Sequence, residues 1–240
     1  MPFGVDEAGK GPVFGSMFAA AVWLEEPADL PEGIADSKRL TPSRREALAR
    51  SLAEDERIST GVAEVTTDRI DDPATDMNTL AVEAHAEAIE RALADADVGS
   101  ADGGGDVSAD GGSLEGSKTP IEGLCDACDT DADRFARRVA ETCSLEVAVD
   151  AEHGADDDSP LVGAASVVAK VERDAHVAAI AEEYADYGDV GSGYPSDPNT
   201  RAFLESYVEE TGDLPPFARE SWSTCAAVLA AAEQRTLEGF

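Results

Sequence analysis

The stretch Gly4–Met17, "GVDEAGKGPVFGSM", places two adjacent carboxylates, Asp6 and Glu7, at the end of a short apolar segment. A lone cation, Lys10, follows among glycines at positions 9, 11 and 15. Residues 2–6 and 12–24 are each typical of a strand, and the glycine-rich turn joins them. Carboxylates are the ligands that hard divalent cations prefer, and glycine lets a substrate approach the backbone closely. The stretch therefore predicts a site for a cation, a phosphate or both.

The geometry of a strand limits how the two carboxylates could act together. Successive strand residues point to opposite faces, so Asp6 and Glu7 cannot converge on one ion from regular β structure. We expect the glycines that follow to let the chain leave that geometry. Their G-x-G-x-x-x-G spacing, with no helical pattern behind it, argues against a dinucleotide-binding turn. For this stretch taken alone, an acidic surface turn remains an alternative.

The charge of the chain is extreme: 18 basic against 51 acidic residues give a net charge of −33 over 240 residues. The acidic residues are spread over the whole chain, which favours adaptation to molar salt over a strongly cationic partner. The N-terminal residues lack a signal-peptide pattern, and no apolar run approaches the length of a membrane span. We therefore expect a cytoplasmic protein that does not contact a membrane.

Periodicity along the chain predicts alternating strands and helices. Helices are expected at 41–55, with Thr41 as N-cap and Pro42 at the first helical position, from Asn78, at 161–184, and after Pro198. Further strands are expected at "ISTGVAEVT", "IEGLCDAC" and "LEVAVD", with the helix "DADRFARRVAET" between the last two. Residues 97–118 are almost entirely Gly, Ser and Asp, which predicts a disordered acidic insertion. These elements predict a mixed α/β sheet with helices on both faces and a helical tail.

Other candidate site residues lie at comparable places. Asp126 ends an apolar run, and Asp156 precedes a helix of small residues that presents Lys170 and Arg173. "DSKRLT" sets Lys38 and Arg39 beside hydroxyl groups suited to phosphate contact. Tyr194, in "GSGYPSDPNT", lies in a turn-forming context from which its ring could stack on a sugar or base. Salt bridges for the cations and plain packing for the tyrosine remain the alternatives.

Five ordered motifs resemble ribonuclease HII, the type 2 ribonuclease H, and most closely its archaeal members. They are "GVDEAGKGPVFG", "DSKRLT", "AEHGAD…VGAASVVAKVERD", "GSGYPSDPNT" and "LPPFARESW". The resemblance implies a ribonuclease H-like fold: a five-stranded mixed sheet flanked by helices, with a small helical C-terminal extension. It places the catalytic domain at 1–198 and the extension at 199–240. The expected protein is a monomer whose partners are RNA/DNA hybrids and DNA containing ribonucleotides.

The resemblance also implies the site and the chemistry. Its four catalytic carboxylates, which bind Mg²⁺ or Mn²⁺, correspond to Asp6, Glu7, Asp126 and Asp156. Two metal ions would then drive hydrolysis of the RNA strand of hybrids, and cleavage 5′ of ribonucleotides embedded in DNA. The family's Gly-Arg-Gly, whose backbone reads the 2′-hydroxyl, is Gly9-Lys10-Gly11 here. The remaining substrate-contacting or supporting residues correspond to Lys38, Ser166, Lys170, Arg173 and Tyr194, of which the tyrosine stacks on the deoxyribose that follows the ribonucleotide.

Two rival interpretations stay open at the level of sequence. One is a binding protein on the same fold that uses acidic loops to mimic nucleic acid. The other is a ribonuclease HIII-like paralogue, which the resemblance disfavours because that family carries an extra N-terminal substrate-binding domain. Clustering of the few cations around the motifs would argue against the first.

Overall fold

The computed structural model describes residues 2–31, 33–34, 40–95 and 120–238. The strands are β1 (Phe3–Ala8), β2 (Met17–Trp23), β3 (Ser59–Val65), β4 (Ile121–Asp126) and β5 (Val147–Glu152). The helices are α1 (Pro42–Glu54), α2 (Thr67–Ile70), α3 (Met77–Asp95), α4 (Ala132–Thr142), α5 (Ala155–Asp158), α6 (Pro160–Glu183), α7 (Pro198–Thr211) and α8 (Ser223–Glu238). Lys38 and the predicted insertion at 97–118 lie outside the described residues.

The strands form one mixed sheet in the order β3-β2-β1-β4-β5. β1, β2 and β3 pair antiparallel, whereas β4 and β5 continue the sheet in parallel from β1. The central strand β1 therefore has an antiparallel neighbour on one side and a parallel neighbour on the other. The predicted five-stranded mixed sheet with helices on both faces is confirmed.

Alternation along β1 assigns its residues to two different layers. Phe3 and Val5 are fully buried in the core formed with α3 and α4. Gly4 faces the other way, where a Cβ atom would lie 2.4 Å from the backbone of Leu161 in α6. Only glycine permits that approach, so α6 lies directly on the strand. Two residues further along β1, Asp6 projects on the same side.

The C-terminal helices form a hydrophobic cluster with the loop between β1 and β2. Val13 and Phe14 of that loop pack with Ile180 of α6, Phe203 of α7 and Val228 of α8. The loop that follows Asp6 and Glu7 thus packs against residues that are distant from it in sequence. The division into a catalytic domain at 1–198 and an extension at 199–240 stays a prediction.

The bounds of the first two strands differ from the prediction. β1 continues through Glu7 and Ala8, which pair with Ala19 and Phe18 of β2, and β2 begins only at Met17. Gly9 and Gly15, at the two ends of the intervening loop, have φ values of 89° and 74°, which end the extended conformation. No helix in the described part of the chain is long and apolar enough to cross a membrane.

Candidate active site

Three of the four predicted carboxylates lie at one edge of the sheet. Asp6 and Glu7 are near the C-terminal end of β1, and Asp126 is the last residue of β4. These strands are parallel, and Val5 lies opposite Cys125. The next residue of each strand, Asp6 and Asp126, therefore lies at the same height in the sheet. The carboxyl ends of parallel strands are the usual place for a ligand in an open α/β sheet.

Asp156 reaches the same edge through the short helix α5. This helix starts after Gly154, whose φ of 72° turns the chain back from β5. The backbone N–H of Ala155 donates to Asp126 Oδ1 at 2.9 Å, which ties the start of α5 to the end of β4. Asp156 is 5% exposed, and its Oδ2 lies 4.0 Å from Lys170 Nζ. As predicted, Asp156 precedes the helix of small residues, α6; it also lies within α5, a turn too short for periodicity to detect.

The electrostatics of the cluster favour a bound cation. Burial, and then the negative charges of Glu7 and Asp126, raise the pKa of Asp6 to about 8, although the Ser166 hydroxyl and the Lys170 charge oppose that shift. Burial also raises the pKa of Asp126. A nearby positive charge stabilises ionised carboxylates. The cluster is therefore strained electrostatically in a way that divalent cations would relieve.

Asp6 and Glu7 project to opposite faces of the sheet. Asp6 interacts with Ser166 on α6, whereas Glu7 Oε2 lies 2.9 Å from Nε2 of His85 on α3. The chain leaves β geometry only after both carboxylates, at Gly9, so Glu7 remains paired with Ala19 inside β1. The antiparallel ladder with β2 holds the strand regular up to Ala8, and the glycine turn begins only afterwards.

The donor set fits metals that keep water and substrate ligands. Among the described residues, no three His, Cys, Asp or Glu side chains are grouped closely enough to form a metal-binding cage by themselves. Mg²⁺ is usually held by one or two carboxylates together with waters and substrate phosphates. An open edge lined by separate carboxylate oxygens suits that coordination, whereas a structural zinc site would need a closed set of nitrogen and sulfur ligands.

The loop between β1 and β2 is organised around the buried guanidinium of Arg219. Its Nη2, Nη1 and Nε atoms donate to the carbonyl oxygens of Gly9 (2.6 Å), Lys10 (2.9 Å) and Gly15 (2.9 Å). Arg219 is fully buried and lies over the ring of Trp222, 5.0 Å from its centroid. One buried side chain therefore binds three carbonyl groups of the loop.

Lys10 joins this loop to the end of β4. Its Nζ donates to the carbonyl oxygen of Cys128 at 2.7 Å and to Asn78 Oδ1 at 3.0 Å. The side chain therefore bridges the glycine turn, the segment just after β4, and α3. Gly9 has a left-handed φ, and a Cβ there would lie 3.0 Å from the Ser16 carbonyl oxygen, so the position requires glycine.

Tyr194 faces the glycine turn across an exposed surface. Its side chain is one of two large apolar groups exposed among the described residues, at 40%. The Arg173 guanidinium lies 5.3 Å from the ring centroid and also donates to the Ser192 carbonyl oxygen. A Cβ at Gly11 would lie 3.7 Å from Tyr194 Cε1, so the ring lies beside the turn with room for about one methyl group between them. An exposed ring beside a glycine turn can receive a sugar or base.

Ser166 and Lys170 connect α6 to the carboxylates. Lys170 Nζ donates to Ser166 Oγ at 2.6 Å, and the fully buried Ser166 hydroxyl in turn interacts with Asp6. Every predicted site residue within the described ranges thus belongs either to the carboxylate cluster or to the adjoining loop surface. Lys38 lies outside those ranges.

Two neighbouring polar residues have other partners. Asp129 is paired with Arg134, whose hydrogen bond lowers the pKa of that carboxyl to about 2. His153 Nδ1 lies 3.0 Å from the carbonyl oxygen of Ala127, a backbone contact. Asp126, rather than Asp129, therefore stands at the carboxylate edge.

Sequence reasoning assigned no role to Arg219 or His85, both fully buried and in contact with the predicted site. Arg219 lies within "LPPFARESW", and a basic residue directly after an apolar run in so acidic a chain is a usable signal. His85 lies between alanines on the apolar face of α3, which resembles a packing position. Its contact with Glu7 depends on how α3 lies on the sheet.

Comparison with known proteins identifies the family. The ribonuclease HII family model matches residues 3–102 and 116–225. The chain is 54% identical to ribonuclease HII of Haloarcula marismortui, over all of both chains. The solved ribonuclease H2 of Pyrococcus horikoshii superposes with a TM-score of 0.76 at 32% identity, over 97% of this chain and 98% of that one. The ribonuclease HII solved in complex with PCNA from Archaeoglobus fulgidus superposes with a TM-score of 0.75 at 33% identity, over all of both chains. The chain belongs to the ribonuclease HII family.

Proposed function

We propose that Asp6, Glu7, Asp126 and Asp156 hold the divalent ions, Mg²⁺ or Mn²⁺, on which this metal-dependent endonuclease relies. As a ribonuclease HII it hydrolyses the RNA strand of RNA/DNA hybrids and cuts DNA at embedded ribonucleotides. The observation that supports the assignment is that these carboxylates lie at one sheet edge, close enough for their charges to interact. Burial and this mutual repulsion raise the pKa of Asp6 to about 8.

Asp6, Glu7 and Asp126 each have a polar contact in the protein that supports them. The Ala155 N–H holds Asp126, His85 contacts Glu7, and the Ser166 hydroxyl contacts Asp6. Two divalent ions bound there would supply the charge that activates a water and stabilises the leaving 3′-oxygen in an in-line displacement. The protein's contribution is to keep the carboxylates oriented and the edge open to substrate.

The glycine loop supplies recognition of the ribonucleotide. Arg219 occupies the carbonyl groups of Gly9 and Lys10 from the inside, which leaves the amide groups of the turn as the donors available to a 2′-hydroxyl. Tyr194 lies against the same turn and stacks on the deoxyribose that follows the ribonucleotide. Arg173, Lys170 and Lys38 are the cations we assign to the nucleic-acid backbone, Lys38 from the sequence alone.

A protein that mimics nucleic acid would need its carboxylates on the outside. Asp6 and Asp156 are 4% and 5% exposed, so they cannot present phosphate-like charge to a partner. Lys10, Lys170 and Arg173 also lie at the site rather than away from it. Both observations favour the nuclease over the mimic.

The decisive test is cleavage of a duplex with one embedded ribonucleotide in molar KCl. We expect a single cut 5′ of the ribonucleotide with Mg²⁺ or Mn²⁺, and none in excess chelator. The same duplex without the ribonucleotide is the matched control, and an Asp6→Asn variant, purified in the same way, tests whether the cut depends on the proposed site. Cleavage that persists in chelator or in Asp6→Asn would exclude the proposed site.

We also infer that this chain binds PCNA, as the Archaeoglobus fulgidus ribonuclease HII does. The inference is supported by similarity over the full length of both chains at 33% identity. The test is co-elution with PCNA from the same organism in molar KCl, with an unrelated protein of similar net charge as control. Separate elution at micromolar concentrations of both proteins would argue against it.

A further inference from the structure

His85 makes a polar contact from inside an otherwise apolar environment. Its side chain is fully buried on α3, and Phe135 of α4 packs edge-on against the ring, with centroids 5.0 Å apart and planes at 85°. Nε2 lies 2.9 Å from Oε2 of Glu7. Nδ1 finds no hydrogen-bond partner among the described residues. Among the described residues, the carboxylate of Glu7 is thus the hydrogen-bond partner of the His85 ring.

An ordinary core position would not favour this side chain. A buried polar atom without a partner destabilises the fold, and an aliphatic side chain in the same space would avoid that cost. Retaining a histidine therefore requires a compensating interaction at the other ring nitrogen. A hydrogen bond to an ionised carboxylate is of the stronger, charge-assisted kind and requires an N–H at Nε2.

Glu7 is the carboxylate that most needs such a partner. It projects to the α3 face of the sheet, whereas Asp6 projects to the α6 face. Ordering a free glutamate side chain costs rotamer entropy. A donor fixed in the core offsets that cost before any ion binds, and it leaves Oε1 of Glu7 free of the contact with His85.

We propose that His85 is a positioning residue: it donates from Nε2 to Glu7 Oε2 and so orients the carboxylate for a divalent ion. The proposal rests on the assignment of Glu7 as a metal ligand made above. Outer partners of metal ligands typically contribute about 10–100-fold to metal affinity. A merely structural histidine would contribute to folding and leave the affinity unchanged.

Two variants separate a positioning role from a packing role, because the more stable variant is expected to bind metal more weakly. His85→Gln keeps an N–H donor near the place of Nε2, whereas His85→Leu fills the core without a donor. Packing alone predicts that His85→Leu is at least as stable as His85→Gln, since it removes a buried polar group. Positioning predicts that His85→Gln binds metal nearly as the unchanged protein does and that His85→Leu binds it about 10–100-fold more weakly.

The measurement is Mn²⁺ binding to the intact, substrate-free protein by titration calorimetry in molar KCl, with melting temperatures recorded in chelator. His85→Met serves as a second donor-free variant if His85→Leu does not fold. Glu7→Gln is the reference: added to it, His85→Leu should cause no further loss of affinity. Unchanged affinity in the donor-free variants, or equal losses in His85→Gln and His85→Leu, would overturn the proposal.

The same titration distinguishes the role proposed for His85 from the assignment of Glu7 as a metal ligand. If Glu7→Gln binds Mn²⁺ as tightly as the unchanged protein, Glu7 is not a ligand and both proposals fail. If Glu7→Gln loses affinity and the donor-free variants do not, the metal site stands and the role of His85 alone is excluded.

Discussion

At the scale of single residues, the buried carboxylate Asp6 determines how the protein behaves without metal. A carboxyl group whose pKa is raised on folding binds more protons in the folded than in the unfolded state. With a folded pKa of about 8 and an ordinary value of 3.8, Asp6 destabilises the metal-free fold as pH rises through that interval. The cost is complete above pH 8, and it is absent below pH 4, where the group is neutral in both states.

Asp6→Asn should therefore raise the melting temperature of the metal-free protein by an amount that grows with pH. We expect a small difference at pH 5 and several degrees at pH 9, measured by circular dichroism in chelator. Asp129→Asn is the control, because Arg134 lowers the pKa of Asp129 to about 2 and its ionised form persists over the whole interval. A pH-independent difference for Asp6→Asn would contradict the raised pKa.

The choice between Asp126 and Asp129 leads to a second prediction. Asp126→Asn should lower turnover by more than about 100-fold, since losing an outer partner of a metal ligand already costs about 10–100-fold. Asp129→Asn removes the ion pair with Arg134, so it should lower the melting temperature and leave turnover within about threefold. Single-ribonucleotide cleavage measured beside thermal melts tests both. The reverse pattern would move the metal ligand to Asp129.

Tyr194 is expected to distinguish between substrates. Tyr194→Ala should reduce cleavage at a single embedded ribonucleotide roughly tenfold, the scale of one lost stacking contact, and cleavage within a continuous hybrid less. The reason is that a deoxyribose follows the ribose only in the first substrate. Tyr194→Phe keeps the ring and is the matched control. Equal losses on both substrates would mean that Tyr194 only shapes its loop.

The sequence motifs identify the residues of the site, but they do not predict how those residues are arranged in space. Asp6, Glu7, Asp126 and Asp156 are found because ordered motifs contain them, whereas their geometry follows from the pairing of β1 with β4 and from α5. Arg219 lies 204 positions from Gly15, whose carbonyl oxygen it contacts. Neither hydrophobic periodicity nor motif spacing encodes so distant a contact, so its role becomes visible only in the fold.

At the scale of elements, the loop between β1 and β2 is held by the C-terminal part of the chain. The backbone N–H of Arg219 donates to the Val13 carbonyl oxygen at 2.9 Å, in addition to its three guanidinium contacts. Burial lowers the pKa of Arg219 to about 10, which still leaves the guanidinium charged at neutral pH. The segment before α8 therefore determines the conformation of a loop that begins one residue after β1.

Arg219→Lys should separate charge from geometry at this position. Lysine keeps the charge but cannot place three donors in a planar fork, so at least one buried carbonyl group loses its partner. We expect a loss of about 2–4 kcal/mol in the free energy of unfolding, and a drop in cleavage at a single ribonucleotide of at least about tenfold. The exposed Arg50→Lys is the control, and equal melting temperatures in the two variants would contradict the prediction.

Long elements are predictable here and short ones are not. α1, α3, α4 and α6 follow from caps and periodicity, and Thr41 accepts the N-cap hydrogen bond from the Arg44 N–H as expected. α2 and α5 have four residues each, too few for a period of 3.6 to register. The sequence predicts that β1 ends at Asp6, because charged residues usually end a buried strand, whereas Glu7 and Ala8 continue the pairing with β2.

At the scale of the whole molecule, the net charge of −33 opposes both folding and binding to a polyanion. The cations available to oppose that repulsion are few, and those at the site already have protein partners: Lys10 contacts Cys128, and Lys170 contacts Ser166. Only a small number of phosphates can then be neutralised by side chains. Short-range contacts at the metal site and the glycine turn must carry most of the binding.

Salt should therefore increase activity over a range where it weakens most nucleic-acid enzymes. Each neutralised phosphate costs roughly 0.9 log units of affinity per tenfold rise in salt, but with few of them this loss is shallow. Long-range repulsion disappears once the Debye length falls to about 3 Å near 1 M. We expect folding and single-ribonucleotide cleavage to rise together from tens of millimolar to molar KCl, with the fold failing first when salt is withdrawn. Circular dichroism and cleavage measured on the same samples test this, and cleavage that falls steadily with salt while the fold is unchanged would instead indicate that phosphate contacts dominate binding.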